Sequence, residues 1–201
     1  QVVTPTPEPE GPKTLVVCQG QEPDSAFIYG TDMLAASTIH ELIYDGSTET
    51  GFDNRSFDYQ AVIWEKVPSL ADGDALLNAV TASEGDTVVD AAGNVALLDP
   101  AADPPVTLVP AGGTPDDAFA YEGGDVELDQ MEVTFVLKPG ITWSDGTPVT
   151  AADSVYTFNV ASDPDSSASK YVPERTTSYE AVDDLTVVWT GLPGYKDATY
   201  F

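Results

Sequence analysis

The chain holds one cysteine, one histidine and only seven lysines and arginines among 201 residues. A lone Cys18 excludes an intramolecular disulfide framework. It ends the apolar run Leu15-Val16-Val17-Cys18 and is expected to be a buried thiol acting as a small hydrophobe. A catalytic thiol needs a base nearby, and His40 is the one imidazole on offer. No apolar run approaches the roughly 18 residues that a membrane-crossing helix requires. The scarcity of cations is the sharpest lack, because 34 Asp and Glu face those seven and leave a formal net charge of −27. Such a field repels phosphate backbones and anionic headgroups, which excludes nucleic acid and leaves membrane contact only to an anchor. It favours cationic or neutral solutes over anions.

What is present is ordinary globular material, with 42% hydrophobic and 9% aromatic residues. A chain of this length buries roughly 70% of its unfolded surface, so stability requires neither disulfides nor a metal. Thr4-Pro5-Thr6-Pro7-Glu8-Pro9-Glu10-Gly11-Pro12 carries no core-forming side chain, and residues 1–13 read as an extended polyproline-like tether. That position suits a spacer between a membrane anchor and a folded body. At the other end, Ala198-Thr199-Tyr200-Phe201 carries no terminating signal, so a truncated piece of a longer protein is expected.

Along the chain, Leu15 to Cys18 reads as a short strand followed by the loop Gln19-Gly20-Gln21-Glu22-Pro23-Asp24. A helix follows, capped by Thr31 or Asp32, with Leu34, Ile39, Leu42 and Ile43 near one face and a stop at Asp45-Gly46. Gly51-Phe52-Asp53-Asn54 reads as a turn and Ala61-Val62-Ile63-Trp64 as a strand. Ala79-Val80-Thr81-Ala82 and Thr87-Val88-Val89 read as a hairpin across Glu84-Gly85-Asp86, and Asp90 to Asn94 turns into Val95-Ala96-Leu97-Leu98. Asp86, Asp90 and Asn94 lack the alternating ligand spacing and closing glutamate of a calcium loop, so no metal is assigned.

The clearest block starts with the alternating strand Met131 to Leu137. Lys138-Pro139-Gly140 turns the chain, Ile141-Thr142-Trp143 begins another strand, and Ser144-Asp145-Gly146-Thr147-Pro148 is a tight Asp-Gly turn. Gly146 is expected at positive φ, and Trp143 is expected to pack. Thr150-Ala151-Ala152-Asp153 reads as a capping box opening a helix through Val155 and Phe158, closed by Asp163-Pro164-Asp165. Val182-Asp183-Asp184 then turns into the strand Leu185 to Trp189.

Phe135-x-Leu137-x-Pro139-Gly140-Ile141-x-Trp143-Ser144-Asp145-Gly146-x-Pro148-x-Thr150-Ala151-x-Asp153-Ser154-Val155 resembles the signature of the oligopeptide/dipeptide-type extracellular solute-binding proteins, family 5, which serve ABC importers. The first strand with Glu22-Pro23-Asp24, the helix ending Leu42-Ile43-Tyr44-Asp45-Gly46, Asp163-Pro164-Asp165 and Val182 to Val187 are similar to that family in the same order. The resemblance implies a mixed α/β (α+β) periplasmic-binding-protein-like fold of type II, cluster C, with two lobes closing on a ligand. It implies that residues 14–45 begin the first lobe and that 46–201 form the extra β-rich domain. It also implies an unusual insertion at about 71–130 and a C-terminal lobe beyond this chain. Gln21 and Glu22 resemble positions that meet the ligand, and Tyr171 resembles an aromatic reaching the cleft from the extra domain. A surface carboxylate and a packing aromatic are the plain alternatives.

The implied function is non-catalytic: an exported, lipoprotein-anchored monomer that binds a peptide or other small solute and hands it to a membrane permease, without a cofactor. An enzyme would need a marked acid, base or nucleophile. Ser25, His40 and Asp45 lack the Gly-x-Ser-x-Gly elbow, and the carboxylates are too many for any pair to stand out. The competing reading is an extracellular adhesion or carbohydrate-binding β module with Trp64, Trp143 and Trp189 as sugar platforms. The ordered motifs separate the two, since an unrelated β module has no reason to carry them.

Overall fold

The computed structural model describes residues 14, 16–31, 33–43, 50–53 and 58–197. In chain order come helix α1 (Leu34–Ile43), strands β1 (Thr50–Asp53), β2 (Asp58–Ala61), β3 (Ala75–Ala82), β4 (Thr87–Val89), β5 (Val95–Leu97), β6 (Thr107–Leu108), β7 (Phe119–Ala120) and β8 (Val126–Val136), helix α2 (Ala151–Ser162), and strands β9 (Thr176–Ala181) and β10 (Thr186–Gly191). The architecture is mixed α+β, built on a four-stranded antiparallel sheet in the order β3-β8-β10-β9. None of the helices described is long and apolar enough to cross a membrane.

β8 explains the layout. Side chains on a strand alternate between faces. Met131, Val133 and Phe135 are buried on one face, whereas Leu128 is buried out of that phase, on the other. The change of phase falls at Asp129-Gln130. Beyond it, the first face joins Trp64, Ala75, Val187, Trp189 and Ala151 in the main core. Before it, the opposite face joins Ala82, Val88, Leu98, Leu108 and Tyr121 in a second core. The strand thus supports one core on each face, at opposite ends.

The segment that leaves the main sheet is 83–125, since β3 and β8 pair from Ala75↔Val133 to Ala82↔Val126. The expected hairpin between residues 79–82 and 87–89 does not form. β4 pairs with β5 instead, and β3 pairs with β8. The Glu84-Gly85-Asp86 turn is real, with Asp86 Oδ2 accepting the Ser83 N–H at 2.8 Å. It deflects the chain off the sheet, so that β4 pairs with β5 while β3, the end strand, pairs with β8. The Asp90 to Asn94 turn does close a hairpin, and Asp90 Oδ1 accepts the Ala92 and Asn94 N–H groups at 2.9 and 2.8 Å.

Several polar contacts fasten this excursion to the main body. Arg175, buried in spite of its charge, donates twice to the Gly93 carbonyl, from Nε at 3.3 Å and Nη2 at 2.7 Å. The Val89 N–H donates to the Pro193 carbonyl at 2.8 Å. Asp129 accepts the Gly112 N–H at 3.0 Å and pairs with Lys196 Nζ at 2.5 Å.

Several local expectations need correction. Cys18 is exposed, as are Val16 and Val17, because their run meets no strand partner among the described residues. Gly51–Asp53 lie in β1 rather than in a turn. The strand read at Ala61 to Trp64 ends at Ala61, and Trp64 makes an isolated bridge to Leu137. Trp143 is 49% exposed and does not serve the core. The tether and the stop at Asp45-Gly46 lie outside the described residues.

Candidate functional site

The turn and helix after β8 form as their residues dictate. Gly146 has φ +86°, and Asp145 Oδ1 accepts the Thr147 N–H at 2.9 Å and its hydroxyl at 2.7 Å. Those bonds hold the Asp145 carboxyl below its ordinary range. At the helix start, Asp153 Oδ2 accepts both the Thr150 N–H at 2.8 Å and the Thr150 hydroxyl at 3.0 Å. Thr150 and Asp153 thus form the expected capping box. The chain then enters α2, whose first residue, Ala151, is buried and donates its N–H to the Asp184 carbonyl at 2.8 Å.

α2 lies across the main sheet and presents Ser154, Thr157, Phe158 and Ala161 to it. Their spacing of three, four and seven is one stripe of a helix. Opposite stand Phe135 of β8, Tyr179 of β9 and Trp189 of β10. The register places Trp189 beside both Val133 and Tyr179, so these side chains share a face. Helix and sheet do not close completely, and a cleft of about 270 Å³ remains between them.

Aromatic rings make most of its wall. Trp64 packs on Phe135 at 5.2 Å between ring centroids, Phe158 on Tyr179 at 4.7 Å, and Trp189 edge-on to Tyr195 at 5.9 Å. Tyr29 completes the lining from the N-terminal segment. The polar groups there are already engaged. Ser154 shares a hydrogen bond with the Tyr179 hydroxyl at 2.8 Å, and Thr157 donates to the Asp153 carbonyl at 2.9 Å. The Tyr195 hydroxyl donates to Asp197 Oδ2 at 3.0 Å. Burial, and then the Asp197 charge, push the Tyr195 phenol well above its usual range, so it stays a neutral donor.

Of the three expected ligand-contact residues, Gln21, Glu22 and Tyr171, the last comes nearest to this cleft. Its ring meets Tyr195 edge-on at 6.5 Å, and the Arg175 guanidinium lies 3.9 Å from its centroid. Tyr171 nonetheless stays 54% exposed. Gln21 and Glu22 lie on the loop before Tyr29, at the surface. That loop meets the segment leading to Tyr171, because the Ser167 hydroxyl donates to the Tyr29 carbonyl. Asp24, Ile28, Gly30, Thr31 and Ala168 border a second hollow there. Trp64 and Trp189, named for the sugar-platform reading, are walls of the aromatic cleft, whereas Trp143 stands on the exposed turn. Sequence reasoning missed Phe158, Tyr179, Tyr195 and Asp197 as neighbours. The stripe on α2 was the available signal, but it names no opposite wall.

Among the described residues, no cluster of three or more His, Cys, Asp or Glu side chains is placed to hold a metal ion.

Comparison with known proteins bears on the same region. Residues 114–193, from the end of the excursion through β10, match the family described as bacterial extracellular solute-binding proteins, family 5 Middle. Among solved structures, an oligopeptide-binding protein from Thermus thermophilus, crystallised with a pentapeptide, is similar at 17% identity with a TM-score of 0.50. The similarity covers 88% of this chain and 22% of that one, and it shows a shared fold of the periplasmic-binding-protein type. No curated protein matches the chain.

Proposed function

Residues 114–193 carry the family 5 solute-binding segment, and from this we propose that the chain is part of an extracytoplasmic protein that binds a peptide and delivers it to an ABC importer. The observation that carries the reading is the unbroken series β8, Asp-Gly turn, capped α2, β9 and β10, which falls inside that segment. The likeness in fold to an oligopeptide-binding protein supports a peptide as the solute.

In this reading residues 14–45 open the first lobe and 46–201 form the extra domain, with 83–125 as its expansion. A second lobe outside these residues closes over the ligand by a hinge. An extended peptide then satisfies its backbone with strand-like hydrogen bonds, while water-filled pockets tolerate different side chains. Glu22 and the neighbouring Gln21 take polar groups of the ligand from the first lobe, and Tyr171 reaches it from the extra domain. The meeting of their two segments at Tyr29 and Ser167 supports that pairing. The work is binding rather than chemistry, and the proline-rich residues 1–13 tether the body to a lipid anchor outside the cytoplasm. The recipient is the importer's permease.

Native mass spectrometry of the longer protein, purified without refolding, tests this reading. Expected are adducts in the mass range of short peptides, released on denaturation. A protein that stays free of adducts and takes up none from an added peptide mixture contradicts it.

A further inference from the structure

We propose that the outer edge of β3 takes up an extended, lysine- or arginine-bearing segment of a partner protein as an added antiparallel strand. The proposal goes beyond peptide transport and uses none of the residues assigned to the transported ligand.

β3 ends the main sheet, and among the described residues β8 is its one strand neighbour. Which of its backbone groups face outward follows from the pairing. In an antiparallel ladder, hydrogen-bonded and non-bonded couples alternate. The Thr134 N–H donates to the Asp74 carbonyl at 2.8 Å, one step before the couple Ala75↔Val133. Leu76, Asn78 and Val80 therefore bond β8, while Leu77, Ala79 and Thr81 turn their N–H and C=O groups away from it. The Ala75 N–H also points outward, but it is taken by the Ser69 carbonyl at 3.1 Å. The open stretch thus runs from Leu77 to Thr81.

Exposed sheet edges are ordinarily blunted by charge, proline or a bulge. The opposite edge strand, β9, carries Glu180, and its register shifts at Thr190/Gly191 of its partner. β3 holds no charged residue and no proline, and its register with β8 is unbroken. Leu76 and Leu77 stay exposed, one on each face, where an added strand would cover them.

Charge selects the occupant. From Val67 to Leu137 the sequence has no lysine, arginine or histidine. Glu132 stands opposite Leu76, and Glu84, Asp86 and Asp125 are exposed just beyond the end of β3. Lys66, the last cation before β3, is already paired with Asp74 at 2.6 Å and with Asp72 at 3.5 Å. A second copy of the chain would bring the same acidic flanks against these, and like charges across strands repel. A basic strand supplies what the edge lacks. Its backbone meets Leu77, Ala79 and Thr81, its apolar side chains lie beside Leu77, and its cations face the carboxylates.

The probe is a cyclic β-hairpin peptide whose outer strand alternates valine and lysine. A short linear peptide must first lose the entropy of ordering, which the closed hairpin avoids. Binding to the 201-residue chain is followed by fluorescence anisotropy. It should saturate, weaken about fivefold between low and high salt, and weaken at least about tenfold when the lysines are exchanged for glutamate. N-methylation of the amides that the outer strand turns outward should abolish it. Ala79→Pro removes an outward N–H and leaves the β8 ladder intact, so it should lose binding while its melting curve shows a folded chain. Binding that survives N-methylation would mean mere attraction to an acidic surface and would overturn the proposal. So would equal affinity for the glutamate hairpin, or the absence of saturation. A longer protein that fails to bind covers this edge with its own residues. A chain that sediments as a dimer until Ala79→Pro is introduced pairs the edge with its own copy. Either result also overturns the proposal.

Discussion

Gly194 and Gly146 both hold positive φ, at +87° and +86°, yet they are constrained differently. A Cβ on Gly194 would lie 2.2 Å from the Val89 carbonyl oxygen, whereas one on Gly146 meets nothing within 4 Å. Gly146→Ala therefore faces only the left-handed backbone penalty, about 1 kcal/mol. Gly194→Ala adds a clash at the seam between β4 and the main body and should cost about 3 kcal/mol. Thermal or urea unfolding of the two variants checks this, and equal losses would contradict it. The Asp145-Gly146 turn is legible in the sequence because everything it needs lies within a few residues. Gly194 is not, since its neighbour is a carbonyl far away along the chain. Cys18 misleads for the same reason: an apolar run reads as buried until its covering partner is sought. Two exposed carboxylates also set a pH dependence. The Asp145 and Asp183 carboxyls are held below their ordinary value of 3.8 by backbone N–H donors, first those of Thr147 and Leu185 respectively. Their contribution is complete above that value and is lost as pH falls through their lower folded-state values. A double variant, Asp145→Asn with Asp183→Asn, should melt below the parent at about pH 5 and converge with it near pH 2. Melting curves that stay parallel would refute the assignment.

For whole elements, periodicity speaks clearly and pairing does not. The alternation of Met131, Val133 and Phe135 marks a strand with one buried face, and it is that strand. The change of phase at Asp129-Gln130 is also written in the sequence, but its meaning, a second core on the opposite face, depends on the segment that folds there. Residues 79–82 and 87–89 are strands as their composition implies, but they are not partners: β3 pairs with β8 and β4 with β5, and adjacency in sequence does not choose among partners. The opening of α2 is fully legible from Thr150 and Asp153. Since Asp153 accepts two hydrogen bonds from Thr150, Asp153→Ala should destabilise the chain by about 1 kcal/mol. Asp153→Asn, which keeps an acceptor, should recover part of that. Denaturant melts compare the two, and an Asp153→Ala variant as stable as the parent would show that the helix is held by its packing alone.

On the scale of the molecule, the resemblance to the family is legible and the cleft is not. The motifs from Phe135 to Val155 are local, and they fall inside the segment that matches family 5. The aromatic cleft gathers residues from Tyr29 to Asp197, drawn from three strands, a helix and the loops around them, and no local spacing announces it. The candidates Gln21, Glu22 and Tyr171 come from resemblance rather than from chemistry in their surroundings. The central claim is that these residues form part of a two-lobed peptide binder, and a single lobe cannot enclose its ligand. Calorimetric titration of this chain and of the longer protein with the same short-peptide mixture addresses it directly. Saturable heat from the longer protein and none from the chain alone is the predicted result. Tight saturable binding by the chain alone, or no binding by the longer protein, would contradict the account.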